Sequence, residues 1–312
     1  MIMIVCLMGP TASGKTQLAV QLVQHFPFEI ISVDSAMVYR GMDIGTAKPA
    51  PEILAIAPHR LINIREPQDP YSAAEFRQDA LREIAAIQKK GKIPLLVGGT
   101  MLYFRTLQQG IAKMPSADTE LRSTLSREGV MLGWPALHQR LALIDPQAAQ
   151  RIHPQDSQRI QRALEVHALT GKTLTAWHDN QEKNGLDQTI HYLVVAPNDR
   201  AVLHERIRQR FLQMLASGLI DEVKALFSRD NLTLSTPAIR SVGYRQVWEY
   251  LQGKLTFDEM REKAIIATRQ LAKRQLTWLR TWPDVVWFDS EATDLFAQVA
   301  HYLTNNYLIT KY

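Results

Sequence analysis

Cysteine is almost missing from this sequence: its 312 residues contain one, Cys6, set inside an apolar run. A single thiol excludes a disulfide framework within the chain and any zinc site built on several cysteines. The expected role of Cys6 is that of a small apolar core residue. The nine histidines show no metal-ligand spacing. Long apolar runs are missing too. None reaches the roughly 20 residues of a membrane span. The apolar start, Met1 to Met8, has neither a basic leader nor a small-residue cleavage site. A reducing cytoplasm is the expected compartment. No charge of one sign dominates, since 36 basic residues face 31 acidic ones and leave a formal +5. That excess favours an anionic partner over a cationic one without identifying it as a nucleic acid.

What remains is the balance of a globular protein, 46% apolar and 21% charged, long enough for one large or two ordinary domains. Short runs rich in Val and Ile recur between helical patterns. Ile2–Met8, Glu29–Val33, Arg60–Ile64, Ile93–Val97, His191–Val195 and Val285–Phe288 read as strands. Their nearly continuous apolarity predicts a parallel sheet with helices on both faces, an α/β fold. Four strands fall before residue 100 and none again until residue 191. The intervening stretch, 112–188, reads as a helical insertion domain within a core of 1–111 and 189–312. There Asp118 is placed to cap Thr119–Arg127, followed by Gly129, and Asp156 precedes Arg159–Leu169, which ends at Gly171. Later helices are expected over Asp199–Ser217, Asp221–Ser228, Pro237–Leu251 and Asp258–Thr281.

Gly9, Pro10, Thr11, Ala12, Ser13, Gly14, Lys15 and Thr16 match G-x-x-x-x-G-K-[ST], directly after a strand and directly before an amphipathic helix. Glycines let backbone N–H groups turn inward around phosphate oxygens, and the helix N-terminus adds its dipole. Lys15 supplies a mobile positive charge, and the Thr16 hydroxyl is suited to Mg²⁺. The fold class expected is therefore a P-loop NTPase-like parallel sheet. Most such proteins hydrolyse or transfer the phosphates of ATP or GTP, with an acidic residue at a second strand end. Asp34-Ser35 follows Glu29–Val33 and fills that place, whereas Gly98-Gly99-Thr100 ends another strand without a carboxylate. That pairing suits Asp34 as a base and Thr100 as a donor to a leaving group. Each residue also reads as a helix cap, and from the residues alone both readings stand.

Gly9–Thr16, Asp34–Pro49, Gly98–Tyr103, Ser157–Glu165, Gly243–Arg245 and Thr268–Gln275, taken in this order, carry a resemblance to the bacterial tRNA dimethylallyltransferase family. It implies transfer of a dimethylallyl group from dimethylallyl diphosphate to N6 of adenosine 37 of a tRNA, the P-loop holding the donor's diphosphate and Mg²⁺ assisting. It further implies Asp34 as the base that takes the N6 proton, Thr100 at the bridging oxygen, and Arg210 near the donor. Contacts to tRNA are implied for Asp34, Ser35, Ala36, Met37 and Thr100. Others are implied for Arg122, Gln158, Arg159, Ile160, Gln161 and Arg162, and for Arg240, Ser241, Val242, Gly243, Tyr244 and Arg245.

The last expected helix adds Lys273, Arg274, Gln275, Trp278 and Arg280 to that implied surface. There Ile265, Ala272, Leu276 and Leu279 form one apolar stripe, with Arg269, Lys273 and Arg280 beside it. A basic channel wall and an ordinary solvated face both fit this pattern, and Trp278 reads either as a base-stacking residue or as core. A monomer is expected. The rival readings are an ATP-dependent kinase of a nucleotide or other small molecule, and an RNA-stimulated ATPase.

Overall fold

The computed structural model describes residues 3–180, 185–186 and 188–307. The described residues form six strands: β1 Met3–Met8, β2 Phe28–Val33, β3 His59–Arg60, β4 Ile93–Gly98, β5 Thr189–Ala196 and β6 Val285–Asp289. Ile2, the expected first residue of β1, and residues 181–184 and 187 of the expected insertion lie outside the described residues. Every pairing is parallel, in the order β3-β2-β4-β1-β5-β6. Burial on both faces follows from the run of apolar residues: Val5 and Leu7 pack on one side, and Ile4, Cys6 and Met8 are equally buried on the other.

The helices are α1 Lys15–His25, α2 Pro51–Ile56, α3 Ala73–Lys89, α4 Met101–Gln109, α5 Thr119–Leu132, α6 Trp134–Ile144 and α7 Pro146–Arg151. They continue with α8 Ser157–Thr170, α9 Leu174–Asp179, α10 Arg200–Ala216, α11 Leu219–Phe227, α12 Tyr244–Leu251, α13 Phe257–Arg280 and α14 Leu295–Tyr307. Among the described residues no helix is long and apolar enough to cross a membrane. Two compact units result, Met1–Leu107 with Asp187–Tyr312, and Gln108–Leu186. The first holds the sheet and a second apolar core in which α10 to α13 pack together around Phe211, Tyr244, Trp248 and Ala272. The second is all helical and centres on Leu125, Leu141, Ile160 and Leu164.

Three local expectations fail for identifiable reasons. Arg60–Ile64 is not a strand beyond Arg60, because Leu61 and Asn63 take left-handed φ of 61° and 54° and end the extended run. Gly129 does not follow α5 but lies inside it, where any Cβ would meet the Trp134 ring at 2.6 Å. The helix expected from Pro237 begins only at Tyr244, because Gly243 sits at φ 92°, outside helical geometry.

Candidate active site

The sheet order brings distant loops together. β4 lies between β1 and β2, with Gly98 in register with Met8 on one side and Val33 on the other. Three loops therefore start at one level: Gly9 onward, Asp34 onward, and Gly99-Thr100. Two of the glycines are sterically required there. A Cβ on Gly98 would overlap the Val33 carbonyl, and one on Gly9 would overlap the Val195 carbonyl. The C-terminal edge of a parallel sheet is the usual place for a ligand.

The loop between β1 and α1 is built as an anion cradle. Ala12 and Gly14 take positive φ, 62° and 86°, which turns successive N–H groups inward. The N-terminus of α1 has no side-chain cap and no acid in its first turn. By contrast, α3 and α13 begin with full capping boxes from Ser72/Glu75 and Thr256/Glu259. The unmet donors of α1 are thus left for a ligand. Lys15 folds back, its Nζ donating to the Pro10 carbonyl at 2.6 Å and to Ser13 Oγ at 3.2 Å. Its pKa is lowered to about 7, chiefly by burial and secondly by Arg210, with Asp34 opposing. Burial also lowers the Arg210 pKa, again against Asp34. Neither Lys15 nor Arg210 forms a salt bridge among the described residues, so both are suited to an anion.

Asp34 caps a turn rather than a helix. Its Oδ1 accepts the N–H groups of Ala36 at 2.8 Å and Met37 at 3.1 Å. No hydrogen bond among the described residues reaches Oδ2, so one oxygen holds the loop and the other is available. Thr100 precedes α4, but its hydroxyl does not cap that helix. It accepts the Ser35 N–H at 3.1 Å and points its own proton towards Ser35 Oγ at 3.4 Å. Ser35, Asp34 and Thr100 are thereby one connected corner.

Two adjoining cavities open around that corner. The smaller, about 350 Å³, is lined by the loop from Thr11 to Thr16, with Asp34 and Arg210. The larger, about 450 Å³, is lined by Thr100, Arg240, Arg274 and Trp278 together with apolar Phe211 and Met214. Both share Asp34, Gly99, Arg210 and Gln275, so charge sits where they meet. Ser35, Ala36, Ser241, Val242 and Gly243 also line the larger cavity. Trp278 is not core; it stands on the cavity wall with the Arg105 guanidinium 5.6 Å from its ring centroid. The cavity-facing line of α13 runs through Thr268, Leu271, Gln275 and Trp278. Lys273 and Arg280 are exposed and do not line either cavity.

Other expected contact residues have different surroundings. Tyr244 borders the larger cavity but is wholly buried, and its hydroxyl donates to Glu222 Oε1 at 2.6 Å. Arg245 is exposed and pairs with Glu249 at 3.0 Å. Met37 lines only the smaller cavity.

In the helical unit, Ile160 is fully buried and acts as core, so its side chain is closed to any partner. Arg122 and Arg162 both bond the buried Glu165 carboxylate, at 2.8 Å each. Burial opposes that carboxylate's charge, but these bonds and the Asp118 N–H outweigh it and hold its pKa below the ordinary range. Gln161 bonds the Arg122 carbonyl at 2.8 Å and Ser126, Arg159 is exposed beside Asp156, and Gln158 lies on the same helix, α8.

The sequence reading missed Ile207 and Met214, which share a helix face with Arg210 at i−3 and i+4, and Phe211, which is three positions before Met214. That spacing was a usable signal. It also missed Glu222, whose carboxylate accepts the N–H groups of Asp43, Ile44 and Gly45. No local pattern announces that contact.

The IPP transferase family model matches residues 37–282. A protein of Thioalkalivibrio sulfidiphilus named tRNA dimethylallyltransferase is 59% identical over 94% of this chain and 92% of its own length. One of the same name from Coxiella burnetii is 55% identical, with 96% of each chain covered. A solved tRNA isopentenylpyrophosphate transferase of Bacillus halodurans superposes with a TM-score of 0.71 at 36% identity, covering 97% of this chain and 95% of that one. A eukaryotic dimethylallyltransferase acting on tRNA superposes with a TM-score of 0.82 at 27% identity, over 99% of this chain and 80% of that one.

Proposed function

Because this chain belongs to the IPP transferase family, we propose that it transfers a dimethylallyl group from dimethylallyl diphosphate to N6 of adenosine 37 in tRNA, releasing diphosphate. One observation carries the assignment of roles. The anion cradle, the free Oδ2 of Asp34 and the Thr100 hydroxyl meet at one corner between a cationic cavity and a wider, partly apolar one.

The donor's diphosphate lies in the smaller cavity, held by the N–H groups before α1, by Lys15 and by Arg210. The adenosine enters from the larger one. Adenine must leave its stack to reach Asp34, and an anticodon loop, being single-stranded, lowers that cost. N6 attacks the allylic carbon as the bond from that carbon to the bridging oxygen breaks. The N6 proton passes to Asp34 Oδ2, held in position because Oδ1 is committed to Ala36 and Met37. Charge growing on the bridging oxygen is met by the Thr100 hydroxyl, whose weak 3.4 Å contact with Ser35 is easily exchanged.

Mg²⁺ fits the donor set. Thr16 lines the smaller cavity, and its hydroxyl makes no hydrogen bond among the described residues. Mg²⁺ is commonly held by one or two protein oxygens, substrate phosphates and water. Thr16 would hold it there, and the ion would neutralise charge on the leaving diphosphate.

The test mixes purified protein, labelled dimethylallyl diphosphate, Mg²⁺ and unmodified tRNA, and follows label into RNA. Incorporation that vanishes with Asp34→Ala supports both function and site. No incorporation, alongside ATP turnover without tRNA, would mean that the P-loop serves a kinase.

A further inference from the structure

We propose that Gln275 is a positioning residue, which ties the diphosphate-binding loop to the loop carrying Thr100 and so keeps leaving-group donors from both loops aligned. The inference rests on the transferase reading above. Gln275 Oε1 accepts the Thr11 N–H at 2.9 Å, and its Nε2 donates to the Gly99 carbonyl at 2.8 Å. One half-buried amide thus spans two backbone segments that no other described side chain joins through both of these atoms.

The chemistry is specific to glutamine. Thr11 N–H only donates and the Gly99 carbonyl only accepts, so a single amide orientation serves both. Glutamate keeps the acceptor but turns an oxygen towards the Gly99 carbonyl, and leucine keeps the volume without either bond. The packing shows the same dependence from the other side. A Cβ on Gly99 would overlap Gln275 Nε2, and it would also lie 3.3 Å from the Gly9 carbonyl. Gly99 is therefore the residue that makes room for the clamp.

Both ends of the clamp carry reacting groups. Thr11 lies four residues before Lys15 in the anion cradle, and Thr100 directly follows Gly99. Two loops from different strands must place several donors around one diphosphate to within tenths of an ångström. Without Gln275, the Thr11 N–H and the Gly99 carbonyl pair with water, and each loop relaxes independently.

The experiment compares wild type with Gln275→Leu, Gln275→Glu and Gly99→Ala in full-length protein. It measures kcat, KM for tRNA, the affinity for inorganic diphosphate with Mg²⁺, and thermal midpoints. Expected is a loss of about tenfold or more in kcat and in diphosphate affinity, with KM for tRNA within about twofold. Gly99→Ala should reproduce the pattern, and it decides the matter if Gln275→Leu does not fold. Thr100→Ala should cost less in the Gln275→Leu background than in wild type, because a displaced Thr100 has less to lose.

Near-normal kcat and diphosphate affinity would overturn the proposal. So would a rise confined to KM for tRNA, which would make Gln275 a tRNA contact, or full multiplicativity with Thr100→Ala. A wild-type protein that binds diphosphate but moves no label into tRNA would overturn the transferase reading alone, with the diphosphate affinities still deciding on Gln275.

Discussion

Tyr244 donates its hydroxyl to Glu222 at 2.6 Å, and the same carboxylate gathers the N–H groups of Asp43, Ile44 and Gly45. The start of α12 is thereby fastened through α11 to the loop after Met42, and Gly45 and Thr46 of that loop line the larger cavity. Tyr244, itself a lining residue of that cavity, thus fixes the shape of its wall. Tyr244→Phe removes one bond of four and is expected to cost about 1–2 kcal/mol. Glu222→Ala, which strands three backbone donors, is expected to cost more than that. Urea unfolding of both variants checks the order, and equal losses would contradict it.

Asp34→Asn is a clean probe of the base, because an asparagine oxygen still accepts the Ala36 and Met37 N–H groups that Oδ1 now holds. Turnover is expected to fall about 10²- to 10⁴-fold. Affinity for diphosphate should hold or tighten, since a negative charge beside Lys15 and Arg210 is gone. Single-turnover transfer and a binding titration separate these effects. Near-normal turnover would remove Asp34 from the chemistry.

Lys15 makes diphosphate binding pH-dependent. In the free protein its pKa is lowered to about 7, so above neutrality it is largely unprotonated. A bound diphosphate favours the ammonium and raises that pKa. Binding therefore takes up a proton above pH ~7, and affinity falls as pH rises, by up to about tenfold per unit. Calorimetry in buffers of different ionisation enthalpy measures the uptake at pH ~8. Lys15→Arg, charged throughout, should lose it. Equal proton uptake in both proteins would show that another group is responsible.

Glu165 anchors the helical unit through Arg122, Arg162 and the Asp118 N–H. Removing this buried carboxylate leaves two guanidinium groups that are partly exposed, 44% and 29%, and so partly rehydrated. Glu165→Ala is expected to destabilise the protein by about 2–3 kcal/mol rather than by the larger penalty of a fully buried broken pair. Denaturant unfolding reads this directly. Unchanged stability with weakened tRNA binding would shift the role of Arg122 from scaffold to contact.

Local pattern carried the reading far. The strand, glycines, Lys15 and Thr16 of the anion cradle are neighbours in sequence, so their chemistry is visible without a fold. Asp34 and Thr100 each follow a strand, and a parallel sheet presents its strand ends on one edge, so their candidacy was visible as well. Tertiary structure decided what lies across the chain. Thr11 and Gln275 are separated by 264 positions, and no periodicity links an amide on a late helix to an early loop. The left-handed turns at Leu61 and Asn63, the burial of Tyr244 and Ile160, and the pairing of Arg122 with Glu165 are likewise products of packing. The sequence by itself determined which residues can perform the chemistry, because composition and local spacing set acidity, charge and backbone freedom. Only the tertiary structure decided which of them meet, because hydrogen bonds between segments far apart in the chain depend on how sheet and helices pack.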